Sequence, residues 1–318
     1  MEVGPVLALR HFNQSFLMKA PLKNIEIVGA VSSLLGEGPV WDAKQGIIYW
    51  IDILNGHLHG YHPKNKIQKT IALDQLIGSY ALSPNNKIIA ALKDGIYWVD
   101  KSTGQKELIV QPETGLPNNR FNDGKCDPAG RFWAGTMSLS EDKEAGSVYV
   151  MEKNNATQDI TSKKVISNVT ISNGMAWSKD GSTFYFIDTP SSEVVAYDYD
   201  LSTGQIKNKR VVISIPVAEG FPDGMTIDTE GMLWVAHWGG WQVTRWNPNT
   251  GEQLYAIPLP AAKITSCCFG GPHLTDLYIS SAKVGLSSQD LLEQPLAGSL
   301  FVLPNCGYQG FPADEFLG

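Results

Sequence analysis

The sequence predicts an all-β fold, and more specifically a six-bladed β-propeller with a metal site in its central channel. A turn followed by an apolar strand recurs six times at intervals of 41 to 52 residues, which is room for four short strands and their turns. The 31 Gly and 18 Pro residues punctuate many short strands. No stretch of about 12 residues has the periodicity and caps of a helix. The equivalent strand positions are Tyr49, Ala90, Trp133, Tyr185, Trp234 and Tyr278.

The first, third, fourth and fifth units each carry a polar side chain five residues before the turn. In chain order these are Glu37 in GEGPVWD, Asn122 in FNDGKCD, Asn173 in SNGMAWS and Asp223 in PDGMTID. Side chains at equal positions of units repeated about an axis point to the same place. Two carboxylates and two amides suit a hard cation such as Ca²⁺, Mg²⁺ or Mn²⁺. This pattern predicts a metal-dependent active site.

The second and sixth units have small or weakly polar residues at the matching positions, around Gly78–Ser79 and Thr265–Ser266. We expect these two units to complete the ring without binding the metal. The ligand segments also have simpler interpretations, because 122–124 (NDG) and 173–174 (NG) are ordinary hairpin-turn sequences and Glu37 could be a solvated carboxylate. The shared position of the four side chains within the repeat favours the metal site.

Composition limits the class of protein. A net charge of −7, a pI near 5.4 and the absence of a basic stripe argue against nucleic acid as the main partner. No apolar run reaches the roughly 18 residues of a membrane span, so no membrane association is expected. The four cysteines lack CxxC spacing and are interpreted as buried thiols of a cytoplasmic protein.

The length of 318 residues is compatible with one propeller domain. We predict that domain over residues 23–318, preceded by an N-terminal arm at residues 1–22. The sequence leaves the oligomeric state open.

In a propeller, the loops after the second strands lie on the same face as the ligand positions. This places Glu141, Thr189 and the pair His237–Trp238 near the metal, and Arg120 lies on the same side of its strand as Asn122. Such a set suits a small hydroxylated substrate with a polarisable oxygen. Arg120 could instead pair with a rim carboxylate, and His237 could equally be a packed rim residue.

These motifs resemble the regucalcin (senescence marker protein), gluconolactonase and luciferin-regenerating-enzyme family, from about residue 25 to about residue 303. The matching stretches are GEGPVWD, NRFNDGKCDPAGRFWAGTM, SNGMAWS, FPDGMTID and TSCCFGGP. The resemblance implies a six-bladed propeller with one divalent cation. Ca²⁺ is the expected ion, and Zn²⁺, Mn²⁺, Mg²⁺ or Fe²⁺ are alternatives. Sugar-lactone hydrolysis is the usual activity of such proteins.

When the functional residues of the family are transferred to the matching motifs, the resemblance implies that the metal ligands are Glu37, Asn173 and Asp223. Arg120 and Asn122 become the substrate-binding pair, with Asn122 close to the metal.

One position departs from the family pattern. A substrate-binding Glu is expected as the third residue after the Gly-Thr-Met sequence, where this chain has Ser140, and Glu141 follows it. We expect Glu141 to bind substrate and Ser140, His237 and Trp238 to be further pocket residues. The departure puts substrate preference in question.

The predicted function is the opening of an aldono-1,4- or 1,5-lactone to its acid, with a small sugar lactone as the partner. Asp223 is placed to orient the attacking water or take its proton, while direct attack by Asp223 is the alternative mechanism. Two other functions stay open. One is a phosphotriesterase-like hydrolase similar to diisopropyl-fluorophosphatase, and the other is a non-enzymatic calcium-binding regulator. The long match at residues 119–137 favours the lactonase.

Overall fold

The computed structural model describes residues 18–19, 24–84, 86–154 and 156–318. These residues form 25 β-strands and one short α-helix, α1 (Ser288–Glu293), so the predicted all-β class is confirmed. The described part includes no helix that is long and apolar enough to span a membrane. The predicted N-terminal arm, residues 1–22, lies outside the described residues apart from β1 (Met18–Lys19).

Four sheets contain four antiparallel strands each, and each sheet is built from strands that are consecutive in the sequence. The first two sheets consist of β3 (Gly36–Asp42), β4 (Ile47–Asp52), β5 (His57–His62) and β6 (Ile67–Ala72), and of β7 (Ile77–Leu82), β8 (Lys87–Leu92), β9 (Ile96–Asp100) and β10 (Lys106–Val110). The next two consist of β11 (Asn119–Cys126), β12 (Phe132–Ser138), β13 (Gly146–Lys153) and β14 (Ile160–Val169), and of β15 (Ser172–Trp177), β16 (Thr183–Asp188), β17 (Glu193–Asp200) and β18 (Gln205–Ser214).

The remaining strands form one larger sheet made of two four-stranded groups, which are joined by a single pairing between Trp238 and Lys263. The first group contains β19 (Phe221–Ile227), β20 (Leu233–Trp238), β21 (Gln242–Asn247) and β22 (Glu252–Pro258), with β1 added in parallel to β22. The second contains β23 (Lys263–Gly270), β24 (Asp276–Ala282), β25 (Ser299–Leu303) and β2 (Glu26–Ser32). Because β2 comes from the beginning of the chain, the last group joins the two ends of the domain.

The first strands of the six groups lie side by side in a closed circuit. The circuit runs through β3, β7, β11, β15, β19 and β23, and β23 packs against β3 again. Apolar side chains fill the spaces between neighbouring groups. Trp133 and Trp234 are fully buried and Trp177 is nearly so, and all three belong to the core.

In the third and fifth units, a buried aspartate at the turn accepts a hydrogen bond from a Trp of the second strand. Asp127 accepts hydrogen bonds from Arg131 Nε at 2.7 Å and from the Trp133 indole Nε1 at 2.9 Å. Asp228 accepts from the Trp234 indole in the same way, also at 2.9 Å. The carboxylate thus satisfies an indole N–H that would otherwise be buried without a partner. This contact fixes the first strand to the second.

The four cysteines are free thiols. Cys126 and Cys267 are buried as predicted, whereas Cys268 and Cys306 are only partly buried. Cys268 follows Cys267 on β23, so the two thiols face opposite sides of the sheet and have different surroundings.

Candidate active site

The six first strands all break their pairing with the second strand at the same level. An extra residue enters the first strand at these six points: between Glu37 and Val40, Ile77 and Ser79, Phe121 and Gly124, Ser172 and Met175, Pro222 and Met225, and Ile264 and Ser266. Such a bulge bends the strand and turns a side chain out of the alternating pattern. The side chains of Glu37, Asn122, Asn173 and Asp223 stand at or beside these bulges.

Sequence reasoning missed the bulges, although a signal was present. A glycine follows each of the four polar side chains within two residues: Gly38, Gly124, Gly174 and Gly224. An isolated glycine inside a strand pattern often marks a bulge. The hairpin interpretation of 122–124 and 173–174 is wrong, because both segments lie inside strands β11 and β15.

The two bulges without a polar ligand contact their neighbours through small residues. A Cβ on Gly78 would lie 2.3 Å from the Phe121 carbonyl oxygen, so only glycine fits at this position. Thr265 donates from Oγ1 to the Gly36 carbonyl at 2.6 Å. These contacts bring the first strands close enough for the ligand side chains to meet near the axis.

The carboxyl groups of Glu37 and Asp223 meet although they are far apart in the sequence. Each residue is 6% exposed, and the two carboxyl groups are close enough to hydrogen-bond when one of them is protonated. Burial, followed by the charge of Asp123, raises the pKa of Glu37 to about 8. Burial and the charge of Glu37 raise the pKa of Asp223 well above its usual range. Two carboxyls this close cannot both ionise unless a cation accompanies them.

The donor set fits a hard divalent cation. It offers two carboxyl groups and the amide oxygen of Asn173, which are the ligand types that Ca²⁺ and Mg²⁺ prefer. Within the described ranges, no three His, Cys, Asp or Glu residues form a metal-ligand group by themselves, so the amide would be an essential member.

The amides of Asn122 and Asn173 connect the cation ligands to Arg120. Arg120 Nη1 donates to Asn122 Oδ1 at 2.7 Å and to the Phe121 carbonyl at 2.9 Å. Asn122 Nδ2 donates to the Ser172 carbonyl at 2.8 Å and lies 3.4 Å from Asn173 Oδ1. Asn122 therefore stands between the guanidinium and the candidate ligand Asn173.

Arg120 is buried in the site and faces its acidic groups. Burial lowers its pKa to about 10, opposed by the charges of Glu37, Glu141 and Asp223, so it remains a cation at neutral pH. Among the described residues it makes no ion pair, which argues against a role as the partner of a rim carboxylate. Its charge is available to a bound anion or a developing negative charge.

Glu141 and Ser140 lie in the turn that follows β12, and both are exposed. Glu141 has a φ of 56°, in the left-handed region that few side chains adopt readily, and its N–H donates to the Ser138 carbonyl at 3.0 Å. Ser140 Oγ accepts from Asn118 Nδ2 at 3.1 Å. The charge of Glu141 acts on Arg120, so the turn lies on the Arg120 side of the molecule.

His237 is enclosed, and both of its ring nitrogens are engaged. Nδ1 lies 3.0 Å from the Glu219 carbonyl oxygen and Nε2 lies 2.5 Å from Thr244 Oγ1. Burial lowers the pKa of His237 to about 4. These contacts favour its interpretation as a packed rim residue. The neighbouring Trp238 is partly exposed, and its ring centroid lies 4.7 Å from Lys263 Nζ.

Asp123 is a third buried carboxyl that sequence reasoning passed over. Burial raises its pKa, while Lys125 and the Gly124 N–H oppose that rise. It borders a cavity of about 390 Å³ that residues 311–314 also line. Lys125 Nζ crosses this space and donates to the Met225 carbonyl at 2.7 Å. Its adjacency to Asn122 inside a bulge is the signal that could have identified Asp123.

Together these features define an all-β, propeller-like protein with an acidic, cation-competent site on its axis. The chain belongs to the SMP-30/gluconolactonase/LRE-like family, whose model matches residues 35–283.

Two relatives and one solved structure illustrate the similarity. YvrE of Bacillus subtilis, named for a proposed sugar-lactone lactonase activity, is 38% identical over 282 residues, which cover 88% of this chain and 95% of YvrE. Regucalcin of Xenopus laevis is 38% identical over 302 residues, covering 92% and 98% of the two chains. The structure of regucalcin from Agrobacterium tumefaciens, described as a calcium-binding protein, superposes with a TM-score of 0.88 at 29% identity, covering 95% of this chain and 99% of that one.

Proposed function

We propose that this protein is a cation-dependent hydrolase that opens sugar lactones to sugar acids. The observation that carries the proposal is the buried pair of Glu37 and Asp223 with Arg120 facing it. The pair requires a cation to ionise fully, and the guanidinium offers a positive group to substrate. The family includes relatives named for lactonase activity, which supports this substrate class.

The framework we propose is one six-bladed β-propeller domain over residues 23–318. Its support is the six four-stranded groups, whose first strands form a closed circuit. In such an arrangement the bulged positions of all the first strands approach a single point on the axis, and this allows ligands from distant parts of the sequence to meet.

Glu37, Asn173 and Asp223 are the residues that would hold the cation, which we propose to be Ca²⁺. The chemistry that a bound divalent ion supplies in such a site is polarisation of a carbonyl oxygen and a lower pKa for a nearby water. The structure of the Agrobacterium regucalcin is described as that of a calcium-binding protein, which supports this choice of ion.

The residues of the chain then have distinct roles. Asp223, freed of its proton, is proposed to orient the attacking water and accept its proton. Arg120 and Asn122 are proposed to bind the substrate oxygens, because the guanidinium stabilises negative charge that develops on them during attack. Glu141 is proposed to bind sugar hydroxyl groups at the rim, where its exposed turn lies next to the charge of Arg120.

A substrate panel tests this proposal against its two rivals. Initial rates would be measured by proton release with five- and six-membered aldonolactones and with a phosphotriester, each in Ca²⁺ and in a chelator. We expect lactone hydrolysis that the chelator abolishes. Faster hydrolysis of the phosphotriester would identify a phosphotriesterase. Saturable Ca²⁺ binding with no hydrolysis of either substrate would identify a non-enzymatic binding protein.

A further inference from the structure

A threonine hydroxyl lies between two of the candidate cation ligands. Thr189 comes directly after β16, and its Oγ1 is 2.8 Å from Asn173 Nδ2 and 2.8 Å from the carbonyl oxygen of Pro222. Pro222 immediately precedes Asp223 at the bulge of β19. One side chain therefore contacts the amide of one ligand and the backbone next to another.

The direction of these hydrogen bonds follows from the number of protons. The carbonyl of Pro222 can only accept, so it takes the single hydroxyl proton of Thr189. The hydroxyl oxygen must then accept from Asn173 Nδ2. The nitrogen of the Asn173 amide consequently faces Thr189, and Oδ1 faces the opposite side.

A second contact gives the same orientation independently. Asn122 Nδ2 lies 3.4 Å from Asn173 Oδ1 and donates to the Ser172 carbonyl at 2.8 Å. If the Asn173 amide were reversed, two N–H₂ groups would face each other there, and Thr189 would have to donate to Asn173 and abandon Pro222. Both changes leave polar groups without partners, which is unfavourable in a buried site.

We propose that Thr189 is a positioning residue of the cation site. Its hydroxyl holds the Asn173 amide with the oxygen towards the ion. Its hydrogen bond to the Pro222 carbonyl stabilises the bulge that carries Asp223. An amide nitrogen cannot ligate a cation, so a reversed Asn173 would remove one ligand from the set. Removing a hydrogen-bond partner of a metal ligand commonly weakens metal affinity by about 10- to 100-fold. The inference rests on the proposed cation site.

The test is a calorimetric titration of Ca²⁺ into the chelator-stripped full-length protein and three variants. Thr189→Val keeps the shape and removes the hydroxyl, while Thr189→Ser keeps the hydroxyl. Thr244→Val is the matched control, because its buried hydroxyl contacts His237 and Trp246 and none of the candidate ligands. We expect Thr189→Val to raise the Kd by about 10-fold or more. Thr189→Ser should stay within about threefold of the parent, and Thr244→Val should lower the Tm without changing the Kd.

Each outcome has a defined meaning. A parent-like Kd for Thr189→Val overturns the positioning role and leaves the cation site intact. A Kd raised by about 10-fold or more in Thr189→Ser also overturns it, because the hydroxyl is still present, and this result can be read even if the valine variant does not fold. If the parent protein shows no saturable Ca²⁺ binding, the proposed function and the inference fail together.

Discussion

The carboxyl groups of Glu37 on β3 and Asp223 on β19 lie within hydrogen-bonding reach of each other, although 185 residues separate them in the chain. Their strands belong to different sheets, and both side chains stand at the point where the strand pairing is interrupted. Burial and mutual repulsion keep this pair protonated without a cation. The cation requirement and the pH dependence of the site both follow from that proximity.

Cation binding should release protons. Burial raises the pKa of Glu37 to about 8 and also raises the pKa of Asp223, so Glu37 holds a proton at pH 7 that an incoming ion must displace. Ca²⁺ affinity should therefore fall as the pH is lowered below about 8. Calorimetry at pH 7 in two buffers of different ionisation enthalpy would measure the release. Equal heats in both buffers would contradict this prediction.

The same shifts predict how stability depends on pH. A carboxyl whose pKa is raised on folding stabilises the fold below its unfolded pKa, and that contribution is lost as the pH rises through the folded value. The cation-free protein should lose stability between about pH 4.5 and pH 8 on account of Glu37. Saturating Ca²⁺ should consequently raise the Tm more at pH 8 than at pH 6. An increment that is independent of pH would show that the pair is ionised throughout.

Arg120→Ala should retain the cation and lose activity. The guanidinium bonds to Asn122 and the Phe121 carbonyl, and its charge faces the acidic groups, so its proposed partner is the substrate. We expect kcat/KM to fall by about 10²-fold or more with an unchanged Ca²⁺ Kd. Arg210→Ala, at a surface ion pair of 2.8 Å with Asp198, is the matched control. Loss of Ca²⁺ from Arg120→Ala would indicate a structural role for this residue.

The turn at residues 140–141 should set substrate preference. Both residues are exposed on the Arg120 side, and surface turns tolerate changes in length better than buried strands do. Deleting Ser140 should change the ranking of five- and six-membered lactones while leaving the Tm within a few degrees of the parent. The panel of initial rates measures the ranking. If the ranking is unchanged, specificity is determined elsewhere, and Trp238 would be the next residue to vary.

His237 should act on stability more than on the reaction. Its folded pKa is lowered to about 4 from an ordinary value of 6.5, so the stability of the neutral buried ring is complete above pH 6.5 and is lost as the pH falls towards 4. His237→Gln should flatten the decline in Tm over that interval relative to the parent, with KM within about twofold. A large increase in KM without a change in the pH dependence of Tm would instead place His237 in the substrate pocket.

The repeat could be predicted from the sequence because it is determined by residues that are close together in the chain. The spacing between equivalent strand positions, Trp133 and Trp234 among them, depends on neighbouring residues, and the structure has strands at these positions as expected. The positions of the polar residues within the repeat also pointed to a common place. This prediction required only that the repeated units are arranged about a common axis.

The remaining features depend on contacts between distant segments. The bulges were missed because their effect on side-chain direction appears only once the second strand is paired. The enclosure of His237 depends on Thr244 in another strand and on the Glu219 carbonyl in a loop. The role of Thr189 depends on Asn173 and Pro222, which lie 16 and 33 residues away in the chain. No local pattern marks such contacts.

We propose that Glu37 and Asp223 hold a cation on which lactone hydrolysis depends. A rate assay on one aldonolactone with chelator-stripped protein, before and after Ca²⁺ is restored, tests this for the parent, Glu37→Gln and Asp223→Ala. We expect negligible hydrolysis by the stripped parent, full recovery with Ca²⁺, and no recovery in either variant. Near-parental turnover by either variant, or by the stripped parent, would contradict it.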